Sequence, residues 1–238
     1  MSEVLRVEGL TKKFRGITAN SDVSFTMEAG SVRAIIGPNG AGKTTFLSML
    51  SGHHLPSSGR IWYEGTDITR MSVVGRARRG LLRKFQTPSV FDELSVRANI
   101  ELAVLARQSA GASADRRIAE VVETIRLQDQ LNEPALILSH GQRQWLEIGI
   151  LLGAGARLML LDEPTAGMTA GETAATASLI RELAADHQRS IIVIEHDIDF
   201  IRSLEAPVMV LNLGQILTEG SFETVAADAR VRDVYLGH

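Results

Sequence analysis

Eight residues, Gly37-Pro38-Asn39-Gly40-Ala41-Gly42-Lys43-Thr44, constrain this chain more than any other stretch. Two glycines separated by four residues and followed by Lys and Thr match a loop that curls until successive backbone N–H groups converge on one anion. The flanks have the spelling that this mechanism needs. The β-branched and apolar run within Ser31 to Ile36 predicts a strand entering the loop. Thr44 to Leu50 predicts a helix leaving it, whose positive dipole end adds to the pull on a phosphate. The loop, with Thr45 just beyond it, is therefore a candidate nucleotide-phosphate site. Lys43 would bridge the β- and γ-phosphates, and the Thr44 hydroxyl would bind Mg2+.

The rest of the chain has the rhythm of an α/β protein. Short apolar runs recur, each closed by Gly, Asn or Asp and several followed by helical periodicity. Strands are predicted at Leu5 to Val7, Asp22 to Met27, Arg60 to Glu64, Leu158 to Leu161, Ser190 to Ile194 and Val208 to Leu211, with a helix over Glu172 to Ala185. Between about Ser95 and Gly153 the texture turns to Ala, Leu, Glu and Arg at i, i+3, i+4 spacing, broken near Gly111-Ala112-Ser113 and Asn132-Glu133-Pro134. We expect one domain over 1–238, an α/β core interrupted by a helical subdomain at 90–155.

Composition excludes several classes. Of 238 residues, 45% are hydrophobic and 22% charged, which is globular rather than disordered or collagen-like. Cysteine is absent, so there is no disulfide framework, no thiolate nucleophile and no Cys-based metal site. The apolar runs are far shorter than the roughly 18 to 20 residues of a membrane span. The first residues lack the basic start and apolar stretch of a secretory signal, and we expect a cytoplasmic protein. The net charge of -3 gives no footprint for nucleic acid. The cluster Arg76, Arg78, Arg79, Arg83 and Lys84 has no interleaved aromatics, and we expect a solvated helix face there. His53, His54, His187 and His238 show no metal-ligand spacing and are expected at the surface.

A second motif joins the first. Leu158-Met159-Leu160-Leu161-Asp162-Glu163 is an apolar strand ending in two acids, the form of a buried parallel strand whose C-terminal end faces a ligand crevice. Asp162 would hold Mg2+, and Glu163 would polarise the water that attacks the γ-phosphate. About twenty residues earlier, Ser139 followed by Gln142 forms a capping box at the start of a helix through Trp145, Ile148 and Leu152.

In this order, Gly37 to Thr44, Leu138-Ser139-His140-Gly141-Gln142 and Asp162-Glu163 resemble the nucleotide-binding subunits of ATP-binding cassette (ABC) transporters. The resemblance covers nearly the whole chain. It implies a P-loop NTPase core with a mixed, mostly parallel sheet, an antiparallel β subdomain and an inserted α-helical subdomain. It implies ATP and Mg2+ as ligands, and hydrolysis of ATP to ADP and phosphate. Ser139, Gly141 and Gln142 would face the γ-phosphate held by a partner subunit. Phe14 lies where an aromatic stacks on adenine, Gln86 matches a Mg2+ ligand that links the core to the helical insert, and His196 matches a switch histidine at the γ-phosphate. Two positions depart from the usual pattern: His140 stands for glycine, and Thr169 in Pro164-Thr165-Ala166-Gly167-Met168-Thr169 stands for an acid that couples the two active sites.

Within the family, Arg83 to Phe91, Leu138 to Gly149 and Glu195-His196-Asp197 are similar to the urea-importer subunits, relatives of the branched-chain amino-acid importers. This implies uptake of urea or a related small amide, or alternatively of an amino acid. It further implies transmembrane permease subunits, a second ATP-binding subunit, expected as a heterodimer, an indirect solute-binding protein and a place at the cytoplasmic face of the inner membrane. A soluble ABC ATPase acting on ribosomes or DNA is the other class. Such proteins usually carry two cassettes in tandem or a long coiled-coil insertion, whereas this sequence has a single phosphate loop and an insert of ordinary size.

Overall fold

The computed structural model describes residues 2–84, 90–107, 110–185 and 189–236. It opens with a long hairpin of β1 (Glu3–Phe14) and β2 (Ile17–Glu28). The two-residue turn needs positive φ at both positions, and Arg15 and Gly16 adopt 39° and 94°. Then come β3 (Val32–Ile36), α1 (Lys43–Ser51), β4 (Ser58–Tyr63), β5 (Thr66–Asp67), α2 (Val73–Arg78) and β6 (Leu81–Lys84). A helical stretch follows, with α3 (Val96–Leu105), α4 (Ala112–Thr124), a 3-10 turn (Ala135–Ile137) and α5 (His140–Gly153). The chain ends with β7 (Leu158–Asp162), α6 (Ala170–Ala185), β8 (Ser190–Ile194), α7 (Ile198–Ser203), β9 (Val208–Asn212), β10 (Gln215–Gly220), α8 (Phe222–Ala227) and α9 (Ala229–Leu236).

The strands form two sheets. An antiparallel sheet has the order β2-β1-β4-β5. A six-stranded sheet has the order β10-β9-β3-β8-β7-β6, parallel except for β10 at its edge. Every residue of β7 and β8 is buried, as expected for strands covered on both faces. Alternation along these strands sorts their side chains between two cores. Leu158, Leu160, Ile192 and Ile194 pack with Phe46, Leu47 and Leu50 of α1 and with Leu5, Val23 and Ile61 of the antiparallel sheet. Met159, Leu161, Ile191 and Val193 pack with Ile100, Val121 and Leu146 of the helical stretch and with Leu179 and Ile180 of α6. Helix α1 thus lies between the sheets, with the phosphate loop at its head.

The predicted strands and helices are present, most of them longer than expected. Gly111 marks the expected break but is the residue before α4, so Ala112 and Ser113 already belong to that helix. The second break falls just before the 3-10 turn. The solvated basic face is not found. Arg76 is 1% exposed, and the side chains of Arg83 and Lys84 are 6% and 2% exposed. These residues do not share one helix, since Arg76 and Arg78 lie on α2 and Arg83 and Lys84 on β6. Arg78 remains exposed, as do His53 and His54, while His187 and His238 lie outside the described residues. Among the described residues, no helix is long and apolar enough to cross a membrane.

Candidate nucleotide site

Register explains why the motifs meet. Ile35 of β3, Ile194 of β8 and Asp162 of β7 are at one level across three adjacent parallel strands. The residues just past that level, Gly37, Glu163 and Glu195-His196, therefore emerge together at the C-terminal edge, where open α/β sheets bind ligands.

The phosphate loop is shaped by what glycine permits. Gly37 has φ 153°, and a Cβ there would stand 2.2 Å from the Leu211 carbonyl oxygen. Gly42 has φ 97°, with the Ala19 carbonyl oxygen 2.3 Å from a Cβ. Gly42 also precedes α1 without supplying a side-chain cap. The first N–H groups of a helix have no partner within it, so those of α1 remain available to an anion. A cleft of about 540 Å3 opens over them, lined by Asn39, Gly40, Ala41, Gly42, Lys43, Thr44 and Thr45, with Glu163 and His196 on the facing wall. Ile17, Thr18, Ala19 and Leu213 complete the lining.

Lys43 is buried, its ammonium donating to the carbonyl oxygens of Gly37 at 2.6 Å and Pro38 at 3.0 Å. Burial lowers its pKa, and the charges of Glu163 and Asp162 push the other way. Gly37 and Pro38 thus act on the cleft through Lys43. Glu163 adopts φ 50°, a strained conformation for a side-chain-bearing residue. Its Oε1 lies 3.2 Å from Nε2 of His196. Asp162 is fully buried, and its Oδ2 accepts from Arg83 at 2.8 Å. Arg83 also donates to the Ser48 hydroxyl on α1 at 2.8 Å. Oδ1 of Asp162 has no hydrogen-bond partner among the described residues.

Phe14 stands opposite Ile17 across the hairpin, beside the cleft but outside its lining. Its ring meets His54 edge-on at 5.2 Å, and the Lys12 ammonium lies 4.9 Å from its centre. Gln86 lies outside the described residues.

Ser139, Gly141 and Gln142 are gathered at a second place. The Ser139 hydroxyl accepts from the Gln142 backbone N–H, and the side-chain Oε1 of Gln142 accepts from the Ser139 backbone N–H at 2.9 Å, so the expected capping box is formed. The Ser139 hydroxyl also donates to Oε1 of Glu172 at 2.9 Å. That carboxylate lies so close over Gly141 that a Cβ there would stand 2.5 Å from Oε1. Oε2 of Glu172 accepts from the Thr169 backbone N–H and hydroxyl, both at 3.0 Å. The two departures now have physical roles. Thr169 caps the start of α6 through Glu172, and the His140 ring covers Gly167, 3.2 Å from where a Cβ would stand.

Sequence reasoning missed Ile17, Thr18, Ala19 and Leu213 of the lining, and also Arg83, Glu172 and Glu195. The strand spacing of the hairpin offered a signal for the first three. The others act through partners distant in sequence.

The fold and cleft define a P-loop ATPase, with phosphate loop and acidic strand end meeting at one cleft and a capped helix start at a second place. Residues 20–166 match the sequence profile of the ABC transporter family, and the chain belongs to it as an ATP-binding, ATP-hydrolysing subunit. The high-affinity branched-chain amino acid transport ATP-binding protein BraF of Pseudomonas aeruginosa is 32% identical over 98% of each chain. The lipopolysaccharide export system ATP-binding protein LptB of Acidithiobacillus ferridurans is 32% identical over all of this chain and 98% of its own. The crystal structure of an ABC-transporter ATP-binding cassette in its ADP conformation superposes with a TM-score of 0.90 at 28% identity, covering both chains fully.

Proposed function

We propose that this chain drives import of a branched-chain or other amino acid by binding and hydrolysing ATP at the cleft over α1. The observation that carries the reading of the site is the convergence on one cleft of Lys43, at the head of the helix after β3, with Glu163 and His196, just past the ends of the neighbouring strands β7 and β8. The phosphates lie over Asn39, Gly40, Ala41, Gly42 and the start of α1, where backbone N–H groups and Lys43 offset their charge. Glu163 accepts a proton from the attacking water, and His196, in contact with it, holds the γ-phosphate side of the cleft. Phe14 supports the adenine from the hairpin.

The buried Oδ1 of Asp162, unpartnered among the described residues, and the Thr44 hydroxyl in the cleft lining are hard donors that fit Mg2+, with Gln86 as a further ligand. When bound, the ion neutralises charge developing on the phosphates. Ser139, Gly141 and Gln142, outside this chain's own cleft lining, serve the nucleotide of a second ATP-binding subunit. Residues 90–155 form the helical subdomain that meets transmembrane permease subunits, at the cytoplasmic face of the membrane.

Full-length likeness to a branched-chain amino-acid transport protein favours that class of solute over urea. Urea stays as the second reading because of the segments at 83–91 and 138–149. Uptake of labelled leucine and urea by a deletion strain separates the two: we expect leucine uptake to fall and urea uptake to persist. For the site, Glu163→Gln is expected to retain ATP binding and lose turnover. Unchanged turnover would remove Glu163 as the base.

A further inference from the structure

Glu195 is a buried carboxylate at the edge of the cleft that none of these roles uses. It follows β8 directly and is 4% exposed. Its Oε1 accepts from the backbone N–H of Thr165 at 2.8 Å and from the Thr165 hydroxyl at 2.6 Å. Its Oε2 accepts from the backbone N–H of His196 at 3.0 Å. Thr165 is itself buried and lies two residues beyond Glu163. The Glu163 backbone N–H donates in turn to the Ile194 carbonyl oxygen at 2.9 Å, one residue before Glu195. The segment after β7 is thus tied to the end of β8 and the residue that follows it at two points, the backbone N–H of the strained Glu163 and Thr165 two residues on.

We propose that Glu195 is a positioning residue for hydrolysis, setting the distance between Glu163 and His196 by clamping the two loops that carry them. A charged carboxylate is costly to bury, and a residue kept only to fill this space would be apolar. Three donors on its two oxygens satisfy it and fix the backbone on both sides of the reacting groups. Glutamine cannot substitute fully. Its single carbonyl oxygen serves Thr165 or His196, and its NH2 group then faces an N–H donor at the other end. This inference rests on the roles assigned to Glu163 and His196.

The test is single-turnover and steady-state ATP hydrolysis by the full chain carrying Glu195→Gln, with thermal unfolding followed alongside. A misplacement of reacting groups by about 1 Å can cost on the order of a hundredfold in rate. We expect kcat to fall about tenfold to a hundredfold while KM for ATP stays within about twofold. In a His196→Ala background the same change should alter kcat less than about twofold, because the partner it positions is gone. Thr165→Ser should keep the wild-type rate and Thr165→Val should lose it, which also covers the case where Glu195→Gln does not fold. An equal loss of kcat in both backgrounds, a rise in KM that accounts for the loss, or wild-type turnover in both Glu195→Gln and Thr165→Val would overturn the proposal. Glu163→Gln measured in parallel keeps the two readings apart. If it turns over normally, the site assignment fails whatever Glu195 does; if it is inactive while Glu195→Gln is normal, only the positioning role fails.

Discussion

Arg76 allows the stability of the phosphate-loop helix to be tested from its far end. Burial lowers its pKa to about 10, still well above neutral, so a cation sits in the core. Nε donates to Met71, Nη1 to Met49 and Leu50, and Nη2 to Ile68 and Thr69, all carbonyl oxygens at 2.6 to 3.0 Å. Met49 and Leu50 belong to the last turn of α1, where the dipole is negative and the Met49 carbonyl otherwise accepts from the cap N–H of Gly52 in a tight turn. Arg76→Met keeps the apolar stem and removes the charge and all five donors. Hydrogen bonds to charged groups contribute about 1.5–3 kcal/mol each, but the removed guanidinium also relieves several kcal/mol of burial cost. We expect a net loss of about 3–5 kcal/mol, which in a chain of this size lowers Tm by about 6–20 °C. Denaturant unfolding followed by circular dichroism measures it. Arg76→Lys, with three donors in place of five, should fall between. A loss below about 1 kcal/mol for Arg76→Met would refute the capping argument.

Two further outcomes follow from polar groups near the site. Asn20 is fully buried beside Gly42 with neither side-chain polar atom partnered among the described residues, so Asn20→Val should stabilise the fold by about 1 kcal/mol in denaturant unfolding. A loss of stability would show that the amide is satisfied. Backbone and hydroxyl donors from Thr169 and Ser139 lower the pKa of Glu172, so its contribution is present above the ordinary glutamate range. It is lost as pH falls from about 4.5 through the lowered folded value. Gly141→Ala, whose Cβ would displace the Glu172 carboxylate, should flatten this acid-side slope, and an unchanged slope would exclude the contact as its source.

The phosphate loop, the acidic strand end and the capping box were legible in the sequence because the cause of each lies within one short segment. A glycine needed for a positive φ, or a Ser that caps the helix it precedes, needs no knowledge of distant chain. The long buried strands were legible for the same reason. The basic cluster failed because burial of an arginine depends on what lies opposite it. Arg83 stands opposite Leu160 in the β6–β7 pairing, so Asp162, two residues on, shares its face and accepts its guanidinium. Lys84 is held by Glu147 of α5, which follows it by 63 positions. Arg76 finds two of its five acceptors, Met49 and Leu50, at the end of a helix that precedes it by about one β-hairpin. Glu195 and Thr165 are 30 residues apart, and Ser139 and Glu172 are 33 apart. In each case two segments share one polar group, and neither segment's pattern reveals the other. The two departures from the family pattern belong to this kind. His140 and Thr169 read singly as losses of a glycine and an acid, but His140 covers Gly167 and Thr169 binds Glu172. What looked like two defects is one packed junction between the starts of α5 and α6. Contact between the start of α5 and the loop after Glu163 therefore runs through Glu172 and His140 together rather than through residue 169 alone.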